Sequence, residues 1–230
     1  MHPILITGVG RAGQVGQSVA FELAARGFPL LLVSRREEEL RARLEELRAA
    51  GHRAEGFAAD LADTTSADSL AASMRDLSGG RLGAAVMLAG GFAMSGPVAA
   101  IDVEGWRRLL DINLTTAMLA TRAALPLLRP EGALVYVASA AALPGAPSAE
   151  MSAYTAAKAG VLALMRTVAE EERRHGVRAN AIAPSSIRTA DNMAAMGENA
   201  AYVERETVAR VIAWLCGPES AGVTGQVVGL

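Results

Sequence analysis

Residues 4–16 read Ile-Leu-Ile-Thr-Gly-Val-Gly-Arg-Ala-Gly-Gln-Val-Gly, an apolar run followed by a glycine-rich turn. A segment with helical periodicity follows at Val15–Arg26, so the stretch predicts a strand, a tight turn and a helix. Glycines in such a turn let a diphosphate approach the backbone N–H groups at a helix N-terminus. A turn with a purely structural role is the alternative, but the position in the first strand–helix unit favours dinucleotide binding.

The rest of the chain repeats this alternation of short apolar runs and longer helical segments. The predicted strands are Pro3–Thr7, Pro29–Ser34, Arg53–Ala58, Ala84–Ala89, Ala133–Ala138, Val177–Ala183 and Gln226–Val228. The predicted helices are Val15–Arg26, Glu37–Ala50, Ser66–Leu77, Gly105–Leu128, Ser152–His175 and Arg205–Leu215. Several strands are apolar throughout, which is typical of a sheet covered on both faces. The pattern predicts an α/β protein with a doubly wound, mostly parallel sheet and helices on both faces, in one domain over residues 1–230.

Composition excludes several classes of partner. The 230 residues carry a net charge of −2, with acidic and basic side chains interspersed, so nucleic acid and anionic membranes are not expected partners. No apolar run is long enough to span a bilayer. The only cysteine, Cys216, cannot form an internal disulfide, which fits a reducing compartment, and we expect a soluble, cytoplasmic protein. The three histidines are isolated in the sequence, so no metal site is predicted.

The end of the second predicted strand bears on cofactor choice. Residues 32–36 read Leu-Val-Ser-Arg-Arg, and a carboxylate that would bind both ribose hydroxyls of NAD is missing. Ser34 and the two arginines suit a 2′-phosphate instead, with Arg11 of the glycine-rich turn as a further positive charge. The segment also fits a capping box, with Ser34 as N-cap and Glu37 as its partner. Capping does not explain the arginines, because cations oppose the helix dipole at an N-terminus. The sequence therefore favours NADP(H) over NAD(H).

Lys158 is the only lysine of the chain and follows Tyr154 by four residues. This spacing places both side chains on one face of a helix. An ammonium group is a compact point charge that approaches a phenol or a sugar hydroxyl more easily than a planar guanidinium does. A nearby positive charge lowers the pKa of a phenol and prepares it for proton transfer at neutral pH. An ordinary amphipathic pair on a helix surface is the alternative interpretation.

Taken together, the chain resembles the classical type of short-chain dehydrogenase/reductase over essentially its whole length, with a variant glycine-rich turn. The elements that carry the resemblance are Thr7-Gly8…Gly16, Asp60-Leu61, Ala89-Gly90, Asn113, Ser139, Tyr154…Lys158 and Pro184…Thr189. The resemblance implies a seven-stranded Rossmann-like sheet, assembly as a homodimer or homotetramer, and NAD(P)-dependent reduction of a carbonyl or oxidation of a secondary alcohol.

The resemblance also implies roles for individual residues. Tyr154 is then the general acid/base, Lys158 assists it and binds the nicotinamide ribose, Ser139 binds the substrate oxygen, and Asn113 holds a water in a proton relay. The residues expected to bind the cofactor are Gly8, Arg11, Gly13, Val15, Gly16, Ser34, Arg35, Arg36, Asp60, Leu61, Ala89, Gly90, Tyr154, Lys158, Pro184, Ile187 and Thr189. Ser139 and Asp60 also fit the bland interpretation of turn residues after strands.

The chain departs from the family pattern at several points. The glycines of the first turn fall five and eight residues after Gly8, where the family has them at four and six. Met87-Leu88 stands in place of two asparagines, and the interval between Ser139 and Tyr154 is two residues longer than usual. A short substrate loop is expected at about residues 190–204, with Met193, Met196 and Tyr202 as candidate apolar contacts.

The identity of the substrate stays open at this point, among acyl thioesters, sugars, steroids, pterins and small aldehydes. An NADP(H)-dependent oxidoreductase is the leading hypothesis. A catalytically silent NADP(H)-binding sensor or scaffold is the second, and a different reaction on the same fold, such as epimerisation or dehydration, is the third. A pure binder has no need of a tyrosine at position 154, which favours the first hypothesis.

Overall fold

The described backbone forms a single sheet of seven parallel strands. The computed structural model describes the backbone of residues 1–230 and all side chains except those of residues 66–68. The strands are β1 (Ile4–Thr7), β2 (Leu30–Ser34), β3 (Ala54–Ala58), β4 (Ala84–Met87), β5 (Ala133–Val137), β6 (Arg178–Ala183) and β7 (Val227–Gly229). Their order is β3-β2-β1-β4-β5-β6-β7, and every neighbouring pair is parallel. The order reverses between β1 and β4, and ligands of such sheets bind at this switch point, outside the carboxyl ends of the strands.

Helices cover both faces of the sheet. They are α1 (Val15–Ala25), α2 (Glu37–Ala49), α3 (Ala67–Ser78), α4 (Val103–Leu110), α5 (Thr116–Leu128), α6 (Ser152–Glu171), α7 (Ala190–Met196) and α8 (Arg205–Cys216). One face packs against α3, α5 and α6, and the other against α1, α2 and α8. Along β1, Leu5 points into the first layer and Ile4 and Ile6 into the second. The uninterrupted apolar run of β1 therefore fills two cores, and the predicted doubly wound α/β sheet is confirmed.

The predicted single helix Gly105–Leu128 is wrong in one important respect. The segment begins at Val103, capped by the Asp102 carboxylate, which accepts from the N–H groups of Glu104 and Gly105. A π turn over Asp111–Thr115 then separates α4 from α5, and the N–H of Thr116 donates to the carbonyl of Asp111, five residues back. Hydrophobic periodicity cannot reveal one extra residue in a turn, so the sequence pattern missed it.

Three smaller expectations also need correction. Ser34 is not an N-cap, because α2 begins at Glu37 after Arg36, and the Ser34 hydroxyl accepts from the N–H of Arg36 at 3.4 Å. The helix predicted to reach His175 ends at Glu171, and a separate 3-10 turn follows at Arg173–His175. The segment expected as a loop at residues 190–204 contains α7. Within the described residues, each helix is too short or too polar to serve as a membrane span.

Candidate active site

A cleft of about 520 Å³ lies at the carboxyl ends of β1, β2, β3 and β4. Eleven of the residues predicted to bind the cofactor line it: Gly8, Arg11, Val15, Gly16, Ser34, Arg35, Arg36, Asp60, Leu61, Ala89 and Gly90. Ten further residues that were not predicted from the sequence also line the cleft: Gly10, Gln14, Val33, Glu39, Ala59, Ala62, Leu88, Gly91, Ile112 and Thr116. Most of the ten are chain neighbours of predicted residues. Ile112 and Thr116 reach the cleft from the π turn and its end, for which the sequence carries no signal.

The glycine-rich turn is packed tightly against the end of β4. Gly8 has φ +74°, and a β-carbon at this position would lie 2.5 Å from the Cα of Ala89. Thr7 links the same two strands, since its hydroxyl donates to the Val86 carbonyl and accepts from the N–H groups of Leu88 and Ala89. Thr7 is buried and does not line the cleft, so its part is to hold the ends of β1 and β4 together beside the glycine-rich turn.

The positive charges around the cleft differ in how freely they can meet a ligand. Arg11 pairs with Asp191 at 2.6 Å, and Arg36 pairs with Glu39 at 3.0 Å. Arg35 is exposed, and no hydrogen bond or ion pair joins it to any of the described side chains. The hydroxyl of buried Ser34 lies beside it at the end of β2. Arg35 is therefore the cation best placed to meet an incoming anion.

Asp60 and Leu61 follow β3 and form the wall of the cleft at its far end. The Asp60 carboxylate accepts from the N–H of Ala62 at 3.0 Å, as a turn residue does, and its side chain is exposed. Leu61 is buried. Asp60 thus combines the structural turn role with a position on the cleft surface.

The four predicted catalytic residues come from three different elements and meet beside the cleft. Ser139 follows β5 and caps a short 3-10 turn, where its hydroxyl accepts from the N–H of Ala141. Tyr154 and Lys158 lie one turn apart on α6, and the Lys158 ammonium is 5.8 Å from the centre of the Tyr154 ring. A β-carbon at Gly90 would lie 2.6 Å from Asn113 Oδ1 and 3.2 Å from Lys158 Nζ, which shows how closely these groups pack.

The expected acidification of Tyr154 by Lys158 is not what the structure shows. Burial raises the pKa of the Tyr154 phenol, and its interaction with the Ser139 side chain acts in the opposite direction. Lys158 is buried, and its ammonium donates to the Val137 carbonyl at 2.9 Å instead of to the phenol. Burial lowers the pKa of Lys158 to about 8. Tyr154 therefore holds its proton at neutral pH, which is the state a proton donor needs.

Asn113 uses its whole side chain to hold the backbone after β4. Its Oδ1 accepts from the N–H of Gly91 at 3.2 Å, and its Nδ2 donates to the carbonyls of Gly91 at 2.9 Å and Leu109 at 3.0 Å. The side chain is almost completely buried. These bonds supply the partners that an asparagine inside a helix requires. The proposed water relay through Asn113 remains a prediction.

Six residues predicted to bind the cofactor lie outside the boundary of the 520 Å³ cleft: Gly13, Tyr154, Lys158, Pro184, Ile187 and Thr189. The Pro184 carbonyl accepts from the N–H of Ala140, so the segment 184–189 borders the turn that carries Ser139. Thr189 is buried and caps α7 through the N–H of Asn192. Helix α7 in turn touches the glycine-rich turn, where the N–H of Ala190 donates to the Gly13 carbonyl.

Phe92, beside Tyr154, was not predicted from the sequence either. Its ring lies edge to face on the Tyr154 ring, with 5.0 Å between centres, and 57 % of the residue is exposed. The loop that carries it is tied to the start of α6, since Ser95 bonds to the Glu150 carbonyl and the Ser152 hydroxyl. An exposed aromatic ring next to the partly buried phenol forms an apolar wall beside the reacting group. Among the described side chains, His, Cys, Asp and Glu form no cluster of three suited to a metal ion.

The lowered pKa of Lys158 predicts a pH dependence of stability. Between its folded value of about 8 and its ordinary 10.5 the unfolded chain binds more protons, so this lysine's contribution to the free energy of unfolding rises with pH. We therefore compare the free energies of unfolding of wild type and of Lys158→Met. The difference, wild type minus variant, should rise by about 2 kcal/mol from pH 7 to pH 10. Urea titrations of both proteins across this range measure it.

The comparison cancels the contribution of other groups that titrate in this range in the unfolded chain, such as the Cys216 thiol, whose pKa burial raises in the folded protein, because both proteins contain them. In Lys158→Met the Val137 carbonyl loses its hydrogen-bond donor. This loss shifts the plot of unfolding free energy against pH by a constant and does not change its slope. Parallel curves for the two proteins would contradict the burial of a charged Lys158.

Comparison with known proteins agrees with this arrangement. The family model described as enoyl-(acyl carrier protein) reductase matches residues 8–230. The chain is 32 % identical to (5R,7aS)-5-hydroxy-7a-methyl-1-oxo-2,3,5,6,7,7a-hexahydro-1H-indene-carboxyl-CoA reductase of Mycobacterium tuberculosis, over 98 % of this chain and 90 % of that protein. It is 32 % identical to cis-4-hydroxycyclohexanecarboxylate dehydrogenase of Sinomonas cyclohexanicum, over 95 % and 91 %. A solved structure of an actinorhodin polyketide ketoreductase variant with NADPH superposes with a TM-score of 0.87 at 26 % identity, covering 100 % of this chain and 95 % of that one.

The fold and the matching family model define a class of oxidoreductases built on a nicotinamide-binding sheet. The chain belongs to the short-chain dehydrogenase/reductase family, whose members act on CH–OH and C=O groups. The resemblance inferred from the sequence motifs is thereby confirmed.

Proposed function

We propose that this protein is an NADP(H)-dependent oxidoreductase that transfers a hydride between nicotinamide and the carbonyl or secondary alcohol of an apolar cyclic substrate. The observation that carries the proposal is the meeting of Ser139, Tyr154 and Lys158 beside a cleft large enough for a dinucleotide.

The cleft suits a dinucleotide in both shape and donor chemistry. A β-carbon at Gly16 would lie 3.1 Å from both the Gly8 carbonyl oxygen and Val9 Cα, so glycine at this position lets the start of α1 pack closely against the turn. Gly16 and Val15 stand in the first turn of α1, where backbone N–H groups and the helix dipole favour a diphosphate. Within the described part of the chain, the Gln14 side chain does not cap this helix, so its N-terminal donors remain available to a ligand.

Each catalytic side chain has a stated task at the substrate oxygen. When bound, the nicotinamide supplies the hydride in reduction or accepts it in oxidation. Tyr154 Oη gives its proton to the oxygen during reduction and takes it back during oxidation. The Ser139 hydroxyl donates a hydrogen bond to the same oxygen and stabilises the charge that develops there. Lys158 supplies a positive charge 5.8 Å from the centre of the Tyr154 ring, and its ammonium is held in place by the Val137 carbonyl.

The preference for NADP(H) rests on Arg35. It is exposed, it lines the cleft, and it has the hydroxyl of Ser34 as a neighbour for a 2′-phosphate. Arg11 and Arg36 are already paired with acidic partners in the free protein and contribute less. A ketoreductase of the same fold has been solved with NADPH, which supports the proposed preference.

We expect Arg35→Ala to raise the dissociation constant for NADPH by about 10- to 100-fold, because a charge-assisted contact to phosphate is lost. The dissociation constant for NADH should change by less than about threefold, since NADH lacks the 2′-phosphate. Fluorescence titration of both cofactors measures the difference. Arg41→Ala is the matched control, because Arg41 lies six residues further along the chain on α2, pairs with Glu37 and does not line the cleft. Equal losses for the two cofactors in Arg35→Ala would exclude a 2′-phosphate contact.

The substrate class follows from the apolar surface beside Tyr154. Phe92 and Met94 are more than half exposed on the loop after β4, and Met196 of α7 is similarly exposed. A ring-shaped hydrocarbon body against Phe92 would bury the exposed part of that aromatic ring while its oxygen meets Tyr154. Two relatives act, by their names, on hydroxylated or oxidised carbocycles, which supports the same class.

A screen of cofactor oxidation tests the proposed function directly. NADPH consumption is followed with cyclohexanones and fused-ring ketones, with linear ketones, sugars and pterins as comparisons. We expect turnover with the cyclic ketones and the reverse reaction with the matching alcohols. An inert protein that binds NADPH would favour a sensor or scaffold, and product formation without net change in NADPH would indicate epimerisation or dehydration.

We also propose a cytoplasmic location and assembly as a homodimer or homotetramer. The buried free thiol of Cys216 suits a reducing compartment, and family members are commonly oligomeric. Light scattering of the purified chain measures the assembly.

A further inference from the structure

Outside the cleft, a row of three polar side chains, Arg43, Glu46 and Gln17, connects helix α2 to the glycine-rich turn. Gln17 Oε1 accepts from the N–H of Gly13 at 2.8 Å. Gln17 Nε2 donates to both oxygens of the Glu46 carboxylate, at 2.9 Å and 3.1 Å. Arg43 in turn donates to Glu46 Oε2. Gln17 and Glu46 border a separate surface cavity and do not line the 520 Å³ cleft.

The direction of this row is fixed by its charged end. A carboxylate only accepts hydrogen bonds, so the amide group of Gln17 must turn its nitrogen toward Glu46 and its oxygen toward Gly13. Glu46 is held in turn by Arg43, whose side chain is only 12 % exposed and whose Nε has no partner among the described residues. Arg43 therefore depends on Glu46 to neutralise its charge, and Glu46 in turn orients Gln17.

Gly13 is held by hydrogen bonds on both sides of its backbone. It has φ +77°, and its carbonyl accepts from the N–H of Ala190 at the start of α7. A β-carbon at Gly13 would lie 3.2 Å from that of Ala190. The seven residues between Gly8 and Gly16 form a long turn, and fixing its backbone costs conformational entropy that a bound cofactor would otherwise have to supply.

We propose that Gln17 is a positioning residue for cofactor binding, which holds the glycine-rich turn in its binding shape through Gly13, with Glu46 setting the orientation of its amide. The inference rests on the proposed cofactor site. Because Gln17 acts before the ligand arrives and touches no reacting atom, it changes cofactor affinity and leaves the chemical step alone.

An exchange of the amide and the carboxylate tests the proposal. In Gln17→Glu two carboxylates face each other, and we expect the dissociation constant for NADPH to rise by about tenfold. Glu46→Gln alone should raise it by about threefold, because an amide at position 46 no longer fixes the orientation of the Gln17 amide. The double variant Gln17→Glu/Glu46→Gln should restore binding. Its amide at position 46 can donate to the carboxylate at position 17 and accept from Arg43, so the dissociation constant for NADPH should return to within about threefold of wild type. The turnover number at saturating NADPH should stay within about twofold throughout.

Gln226→Glu is the matched control, since it adds the same charge to an exposed glutamine away from the cleft. Gln17→Ala provides a second variant if Gln17→Glu does not fold, and its expected loss of affinity is similar. The melting temperature of each protein is measured in parallel. Variants that lower the melting temperature but bind NADPH as wild type does, or losses that add in the double variant, would overturn the inference. A wild-type protein that binds neither NADPH nor NADH would overturn the proposed cofactor site as well, so the two failures are distinguishable.

Discussion

Tyr154→Phe should reduce the turnover number by about 1,000-fold while the dissociation constant for NADPH stays within about threefold of wild type. The substitution removes one oxygen and keeps the ring, including its edge-to-face contact with Phe92. The site loses the group that offers the substrate oxygen a transferable proton, because Ser139 contributes a hydrogen bond but is too weak an acid to take over. Steady-state rates with saturating NADPH and fluorescence titration of the cofactor separate the two effects.

Tyr136→Phe serves as the control for removal of a phenolic oxygen. The Tyr136 hydroxyl lies in the core, where it shares a hydrogen bond with Thr121 at 2.9 Å. This variant should lose about 1 kcal/mol of stability and keep its turnover number. Full activity in Tyr154→Phe would mean that the proton comes from elsewhere, and the proposed mechanism would then be wrong.

Gly8→Ala should destabilise the folded protein by about 4 kcal/mol and abolish cofactor binding. A β-carbon at Gly8 would lie 2.5 Å from Ala89 Cα and 2.7 Å from Ala89 N, both backbone atoms of the adjacent strand end. Either β1 or the loop after β4 must move, and both form the floor of the cleft. Urea unfolding gives the loss of stability, and cofactor titration of the folded fraction gives the loss of binding.

Gly27→Ala separates the two causes of this loss. Gly27 has φ +86°, close to that of Gly8, and its missing β-carbon would meet nothing within 4 Å among the described atoms. Its replacement should cost about 1 kcal/mol, which reflects the backbone conformation alone. Similar losses in the two variants would mean that the contact with Ala89 is relieved by a small shift.

The fold was predictable because it depends on patterns that the chain repeats. Each strand is an apolar run such as residues 4–6, with both faces buried, and a parallel sheet follows from strands that alternate with helices. Glycines with a required conformation, such as Gly8, are visible in a sequence because few other residues can replace them.

The parts of the site that sequence reasoning missed depend on contacts between distant segments. The position of Phe92 over Tyr154 results from a loop of irregular backbone, which no periodicity describes. The hydrogen bonds of Gln17 with Gly13 and Glu46 join the glycine-rich turn, α1 and α2, and the sequences of these three segments do not predict them. The presence of the Lys158 ammonium beside Tyr154 was predicted, but its hydrogen-bond partner was not. The partner is the backbone carbonyl of Val137 in β5, and because every strand residue has a backbone carbonyl, the sequence does not single this one out.

The π turn at Asp111–Thr115 makes the length of the central helix part of the site. An α-helix turns by about 100° per residue, so removing one residue here would rotate everything on one side of the deletion by that angle. Asn113 would then swing away from Gly91, and Ile112 would leave the wall of the cleft. The number of residues in this helix is therefore fixed by two requirements at once: a gain or loss of a single residue would displace either the side chains at the cleft or the buried apolar face that α5 packs against the sheet.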